Sequence, residues 1–434
     1  MPLWNARVES MPRERLEKLQ LQRLKAVVDR AAGQSPFYKR RFAEADIEPE
    51  AIRSLDDIAR LPITTKGDLR FHYPWGLFTV PMKEVVRIHT SSGTTGKPIV
   101  ACYTRADLVV WMEVCARSLA AAGVTADDII HNGYGYGLFT GGLGIQLGAE
   151  AIGATVVPVS SGLTARQLML LEDFGATVLT CTPSYALVLG EEAGAAGIDV
   201  RKRFKLRVGI FGAEPWSEEM RGEIREVLHL EPFDIYGLTE IIGPGVSMEC
   251  EHHNGLHIFE DHFYPEIINP SSGQPLGFGA EGELVFTTLT KEAMPLIRYR
   301  TGDRTILHQE KCACGRTLAR MEKVLGRTDD MLVVRGVNVF PSQVEKVLLE
   351  FDEVAPQYQI VVDRKRHELD TFEVLVEGTD SFERTHSKEL EEKIQKRLHE
   401  VLLIHCKATV MKPRSIERSI GKAVRVVDRR KPGL

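Results

Sequence analysis

Three observations predict an α/β fold with a large N-terminal domain of helix-covered mixed sheets and a small α+β C-terminal domain. Short β-branched runs alternate with helical patterns between about residues 150 and 240. After about residue 328 the texture changes to helix, two strands, a charged helix and a last strand. A chain of 434 residues also exceeds what one core usually serves. The expected domains are residues 1–327 and 328–434, with no long linker or internal repeat between them.

In the first domain, residues 154–159 read as a strand, 165–174 as a helix and 176–181 as the next strand. A helix follows Pro183, residues 206–211 make a strand, 218–228 a helix, and 233–236 a further strand. Such an order belongs to a parallel sheet with helices on both faces, where ligands gather beyond the carboxyl ends of strands. Gly212-Ala213-Glu214-Pro215 and Gly237-Leu238-Thr239-Glu240 both fall at such ends. In the second domain, residues 343–351 read as a helix and 359–362 and 371–376 as strands, while 387–401 form an amphipathic helix with one solvated charged face.

Composition excludes some classes of function. Hydrophobic residues make up 43%, charged residues 26%, and the net charge is -5, so nothing favours nucleic acid or a membrane surface. Residues 1–9 lack the basic-then-apolar pattern of a signal peptide, and no charge-free run of 18 apolar residues occurs. A cytoplasmic protein acting on small molecules is expected. Seven cysteines are too few for a disulfide scaffold.

The densest functional signal is Ser91-Ser92-Gly93-Thr94-Thr95-Gly96-Lys97-Pro98. Small residues let backbone N–H groups approach phosphate oxygens, hydroxyls add donors, and Lys97 adds a compact positive charge. A Walker A loop is excluded, because Gly93 and Gly96 enclose only two residues and Pro98 follows the lysine. An ordinary Ser/Gly/Thr loop is the alternative.

Further motifs follow in order: Tyr236-Gly237-Leu238-Thr239-Glu240, Arg300-Thr301-Gly302-Asp303, Gly326-Arg327-Thr328-Asp329-Asp330 and Gly421-Lys422. Together with the phosphate-like loop the series resembles the adenylate-forming superfamily of acyl-CoA synthetases. Within it the chain is most similar to phenylacetate-CoA ligases, through residues 134–142, 294–300 and 335–341. The resemblance implies activation of an aryl acid, phenylacetate first, by attack on the α-phosphate of ATP, then transfer to coenzyme A with loss of AMP. Another aryl acid (benzoate, hydroxyphenylacetate or indoleacetate) or an acceptor other than CoA is the alternative. It also implies Mg2+, a mobile small domain, a homodimer and a place in phenylacetate catabolism.

Residue by residue, the resemblance puts Ser91, Ser92, Gly93, Thr94, Thr95, Gly96 and Lys97 in the ATP site, with Thr94, Thr95 and Lys97 on the triphosphate. Thr239 contacts the α-phosphate and Glu240 helps hold Mg2+, since a carboxylate beside polyphosphate needs a cation between them. A helix N-cap is the alternative for Thr239-Glu240. Asp303 takes the ribose hydroxyls, Arg327 lies near ribose or phosphate, and Tyr236 covers the adenine, against the alternatives of a turn and of strand-end packing. Asp234 and Gly237 join the nucleotide site, and Gly212, Ala213, Glu214 and Pro215 border adenine or the acyl pocket. Lys422, twelve residues from the C-terminus, becomes the catalytic cation carried by the mobile domain, where a lone lysine is otherwise a surface charge. Asp329 becomes the hinge and Gly336 faces CoA.

Tyr136, Phe139, Gly141 and Ala213 form the expected acid pocket, because glycines open room beside flat aromatic walls. Core packing is the alternative for the aromatic pair. At Gln146-Leu147 the chain departs from the His-Tyr frequent in the family, which leaves the acid open.

Cys312-Ala313-Cys314-Gly315 is a tight turn able to present two thiolates, and Cys250 with His257 completes a Cys3His zinc set. His252, His253 and His308 compete for the fourth position, and free thiols in a loop are the other reading. A zinc-ribbon module for nucleic acid is opposed by the net charge.

Overall fold

The computed structural model describes residues 3–91, 98–327, 332–335, 337–364, 370–379, 382, 387–418 and 423–430. The chain opens with α1 (Arg13–Gln34) and α2 (Pro36–Glu44), followed by a hairpin of β1 (Arg87–Thr90) and β2 (Val100–Tyr103). Then comes α3 (Arg105–Ala121), whose start is set by a capping box of Thr104 and Asp107.

The alternating region folds as the periodicity requires. It contains β3 (Ile129–Asn132), α4 (Gly141–Ile152), β4 (Thr155–Val157), α5 (Thr164–Asp173), β5 (Val178–Cys181), α6 (Pro183–Ala195), β6 (Val208–Gly212), α7 (Glu218–Leu228) and β7 (Glu231–Leu238). These strands run parallel in the order β4-β3-β5-β6-β7. Successive residues of one strand feed opposite cores: Val178 and Ile210 join the cluster with Trp111 of α3 and Ile145 of α4, while Leu179 and Phe211 join Leu171, Leu189 and Ile224 of α5, α6 and α7. Strand β4 is shorter than the expected 154–159, since Pro158 has no N–H to give the ladder.

Beyond β7 the sheet turns antiparallel through β8 (Gly243–Glu249), β9 (Leu256–Ile258), β10 (Phe263–Ile268), β11 (Pro275–Leu276), β12 (Glu281–Thr288), β13 (Tyr299–His308), β14 (Arg320–Met321) and β15 (Gly326–Arg327). Among the described residues thirteen strands make one continuous mixed sheet.

A separate core starts at Leu332 and draws on no residue before it. It holds β16 (Leu332–Val334), β17 (Val337–Val339), α8 (Pro341–Leu348), β18 (Val354–Asp363), β19 (Thr371–Gly378), α9 (Ser387–Leu402), β20 (Lys407–Met411) and β21 (Val426–Asp428). The four-stranded sheet runs β20-β19-β18-β21. Sequence periodicity gives one strand after α9 where the fold has two, both edge strands too short to carry a strong alternation signal. Helix α8 starts two residues earlier than expected because Pro341 is accepted at a first helical turn. No helix among the described residues is long and apolar enough to cross a membrane.

Candidate functional site

The parallel strands β3, β5, β6 and β7 bring their carboxyl ends to one edge, and four loops open there. After β6, Gly212 is obligatory, because a Cβ would stand 2.1 Å from the Ile235 carbonyl oxygen. Ala213 follows with φ of 73°, a conformation costly for a residue with a side chain and typical of functional turns. At the end of β7, a Cβ on Gly237 would stand 2.0 Å from the Gly243 carbonyl oxygen. Thr239 and Glu240 form a turn leading straight into β8, so the helix N-cap alternative is excluded.

The hairpin β1–β2 presents the phosphate-like loop. Thr90 pairs with Val100, Ser91 N–H donates to the Ile99 carbonyl (2.9 Å), and Ile99 N–H donates to the Ser91 hydroxyl (3.0 Å). Ser92, Gly93, Thr94, Thr95, Gly96 and Lys97 lie outside the described residues. The hairpin also grips the aromatic loop, since Thr90 N–H donates to the Leu138 carbonyl at 2.9 Å with His89 Nδ1 at 3.1 Å from the same oxygen.

Asn132, at the end of β3, shapes that aromatic loop. Its amide donates to the Tyr136 hydroxyl (2.8 Å) and the Gly142 carbonyl (2.9 Å), while its oxygen accepts from Thr180 (2.9 Å). Tyr136 is half-buried, and burial pushes its hydroxyl up to about 12. Gly141 lets Tyr134 close over the start of α4, with a Cβ there only 3.2 Å from the ring. Phe139 stands 51% exposed, so it faces solvent rather than forming a closed wall with Tyr136.

A second group forms where β7, β13 and β15 meet. The Tyr236 hydroxyl donates to Asp303 Oδ2 (2.6 Å) and Arg327 Nη1 donates to Asp303 Oδ1 (2.6 Å). Pairing of Asp303 with Arg327 across the β13–β15 ladder sets this geometry. Burial and the Asp303 charge push the Tyr236 hydroxyl well above its usual range, so it stays a donor. Beneath, Asp234 N–H donates to Glu249 Oε2 (2.7 Å), and burial followed by the Glu249 charge raises the Asp234 carboxyl. Arg221 (2.7 Å) and His253 (3.2 Å) hold Glu249 in its charged form despite burial.

Glu240 is 7% exposed, and no ion pair to it occurs among the described residues. It lies beside the Tyr299 hydroxyl, whose proton it helps retain after burial. Thr239 and Thr140 hydroxyls approach to 3.5 Å. The buried Lys291, which no sequence motif marks, donates to the Ile241 carbonyl (3.2 Å) and sits 3.8 Å over the Tyr103 ring. Tyr103 in turn donates to the Ile242 carbonyl (3.0 Å), so the turn carrying Glu240 is held from below. The signal available for Lys291 was one charge in a run that otherwise reads as strand and turn.

Glu214 links the two domains. One carboxylate oxygen accepts from Ser184 N–H (2.8 Å) and the other from Ala423 N–H (2.9 Å). Lys422, the residue before Ala423 in the chain, lies outside the described residues, as do Asp329 and Gly336.

Cys250, His257, Cys312 and Cys314 converge, with all ligand atoms within 4.8 Å of one another. Cys250 and Cys312 sulfurs stand 3.7 Å apart, and Cys314 Sγ is 3.4 Å from His257 Nε2. Zn–S bonds of about 2.3 Å and Zn–N bonds of about 2.0 Å give tetrahedral edges of about 3.8 Å and 3.5 Å, so the donor set fits zinc. The competing histidines are engaged elsewhere or exposed: His253 with Glu249, His308 with Glu322 (2.8 Å), and His252 at the surface. Arg316, which donates to Glu9 (2.7 Å), also reaches Cys314 (3.6 Å) and offsets thiolate charge.

Comparison with known proteins agrees with this arrangement. The family model for AMP-binding enzymes matches residues 16–289, and that for the AMP-binding enzyme C-terminal domain matches 336–430. The chain is 51% identical to a phenylacetate-coenzyme A ligase of Thermus thermophilus, covering 99% of this chain and all of that one. It is 48% identical to a phenylacetate-coenzyme A ligase of Escherichia coli, covering 98% and 97%. Among solved structures, 2-hydroxyisobutyryl-CoA ligase in the postadenylation state superposes with a TM-score of 0.91 at 29% identity, covering 98% of this chain and 92% of that one. The same enzyme in the thioesterification state gives 0.73, covering 99% and 94%. The matched domains, the near full-length identity and the convergence of Tyr236, Asp303 and Arg327 place this chain in the phenylacetate-CoA ligase family of adenylate-forming enzymes.

Proposed function

We propose that the chain activates an aryl carboxylic acid with ATP and passes the acyl group to coenzyme A, with phenylacetate as the first candidate acid. The observation that carries this reading is the Tyr236–Asp303–Arg327 group at the carboxyl end of the parallel sheet, flanked by the Glu240 turn and the Tyr136 loop. An acid oxygen attacks the α-phosphorus, the bond to the β-phosphate oxygen breaks, and pyrophosphate leaves. The CoA sulfur then attacks the acyl carbon, AMP departs with the C–O electrons, and the thiol proton is lost.

Asp303 accepts from the ribose hydroxyls while Tyr236 and Arg327 keep its carboxylate oriented and charged. Tyr236 and Gly237 border the adenine, with Asp234 below. Thr239 meets the α-phosphate, and Ser91, Thr94, Thr95 and Lys97 hold the outer phosphates. Glu240, buried without an ion-pair partner among the described residues, would hold Mg2+, which supplies positive charge against the polyphosphate. Lys422 adds positive charge as the reaction proceeds, with Asp329 as hinge and Gly336 facing CoA. Domains of 1–327 and 328–434 follow from that hinge, a cytoplasmic homodimer is expected, and light scattering at the mass of one chain refutes the dimer. Cys250, His257, Cys312 and Cys314, whose ligand atoms lie within 4.8 Å of one another, would hold a structural zinc.

The test is pyrophosphate release across phenylacetate, hydroxyphenylacetate, benzoate, indoleacetate and short aliphatic acids, with and without CoA. Phenylacetate should give the highest kcat/KM and CoA-dependent turnover. AMP transfer to an acceptor other than CoA overturns the reading.

Two substitutions separate the ribose contacts. Asp303→Asn keeps one acceptor oxygen and removes one charge-assisted bond worth about 1.5–3 kcal/mol, so KM for ATP should rise about 10- to 100-fold. Tyr236→Phe removes only an orienting donor, with an expected change of about fivefold or less. Initial-rate kinetics in ATP checks both, and equal effects refute the assigned division of roles.

A further inference from the structure

We propose that Arg418 and Glu191 form a reversible latch between the domains, which makes Arg418 a positioning residue for adenylation. The inference rests on the reading of Lys422 as the adenylating cation. Arg418 belongs to the small domain, between β20 and β21, and Glu191 to α6 of the large one. The guanidinium donates to both oxygens of Glu377 on β19, at 2.8 and 2.9 Å. Glu377 is buried and also accepts from the backbone N–H groups of Arg414 (3.0 Å) and Ile416 (2.5 Å). The small domain therefore presets Arg418 before the domains meet.

The remaining edge of the guanidinium faces the large domain. Nε donates to Glu191 Oε2 at 3.0 Å and Nη2 reaches Glu191 Oε1 at 3.4 Å. When the domains part, Arg418 keeps Glu377 and gives up only Glu191. A contact that must form and break in each turnover needs this economy, because a fully buried, doubly broken pair would lock one state. Glu191 stands near Glu377 and Glu223, so without the guanidinium two acidic surfaces would meet.

Position in the chain gives the latch its consequence. Arg418 and Ala423 both contact the large domain, through Glu191 and Glu214, and only residues 419–422 separate them. The segment carrying Lys422 is thus tied at both ends. The overall arrangement superposes on the postadenylation state of 2-hydroxyisobutyryl-CoA ligase at 0.91, against 0.73 for its thioesterification state.

The test uses Glu191→Gln, a change away from the nucleotide site, in the full chain. Ion pairs that water still reaches, as here at 22% and 28% side-chain exposure, are worth up to about fivefold, so phenylacetate-dependent pyrophosphate release should fall about three- to fivefold. Thioester formation from preformed phenylacetyl-AMP and CoA should be unchanged or faster, which also shows that the variant is folded. Raising salt from about 0.05 to about 0.5 M should slow pyrophosphate release in the native enzyme more than in Glu191→Gln. The effect of Arg418→Gln should shrink in the Glu191→Gln background. Equal loss of both half-reactions, or unchanged pyrophosphate release in Glu191→Gln, overturns the latch. Lys422→Ala separates the two ideas: full pyrophosphate release in that variant defeats the Lys422 reading, whereas its loss beside an unaffected Glu191→Gln defeats the latch alone.

Discussion

Lys422→Ala should slow acid-dependent pyrophosphate release by about 10²- to 10³-fold while preformed acyl-AMP is still converted to thioester at close to the native rate. In the first half-reaction negative charge gathers around the α-phosphorus, and a positioned cation lowers that barrier without any covalent role. In the second half-reaction the phosphate chemistry is complete, so a charge aimed at phosphorus adds little. The Ala423 N–H bond to Glu214 supports this assignment, because it ties the residue next to Lys422 to the turn after β6, on the edge where the proposed nucleotide site lies. Single-turnover measurements of each half-reaction check the prediction, and equal losses in both refute it. Lys422→Arg should recover only part of the activity, since a planar guanidinium does not replace a compact ammonium.

Metal analysis of the purified protein should find about one zinc per chain, and Cys312→Ser combined with Cys314→Ser should remove it. Three thiolates and a neutral imidazole around a Zn2+ ion would leave one negative charge, and the buried Arg316 stands beside Cys314, placed to meet it. Without the ion, the turn at residues 312–315 loses its tie to Cys250 and to His257 on β9. The melting temperature should fall by several degrees, since at about 2.1 cal/mol/K per residue a domain this large shifts by roughly 1.5 °C for each kcal/mol lost. Hydrogen exchange should quicken around residues 309–319, while turnover of the folded variant at 25 °C stays near native, because among the described residues the cluster forms no hydrogen bond to Tyr236, Asp303 or Arg327. Native protein without zinc overturns the assignment, and a lost activity at unchanged stability overturns its structural role.

Much of the parallel half was legible because a strand buried on both faces and a helix buried on one leave different apolar spacings. Residues 178–181 and 208–212 are such strands, and the turns that end β6 and β7 were visible as Gly-bearing breaks. The antiparallel half was less legible: β8 to β15 include two-residue strands at Pro275–Leu276, Arg320–Met321 and Gly326–Arg327, which exist only through their partners. Phe139 shows the same limit at the site. Aromatic character suggested a pocket wall, yet the clamp on the Leu138 carbonyl leaves the Phe139 ring half exposed.

The order of motifs along the chain by itself determined the family, because glycines, hydroxyls and charges at set separations are chemical requirements carried by residue identity. The polar, Gly-containing segments around Cys250, Cys312 and Cys314 marked these as the cysteines to watch. The sequence named His257 against three competing histidines, and only tertiary structure removed the competitors, since His257 is the one that β9 carries to the cysteine turn. Tertiary structure likewise decided that Glu214 bridges the domains and that Arg418 meets Glu191. Those contacts join residues more than two hundred positions apart, and no local periodicity records a pairing set by how two separately folded cores come together.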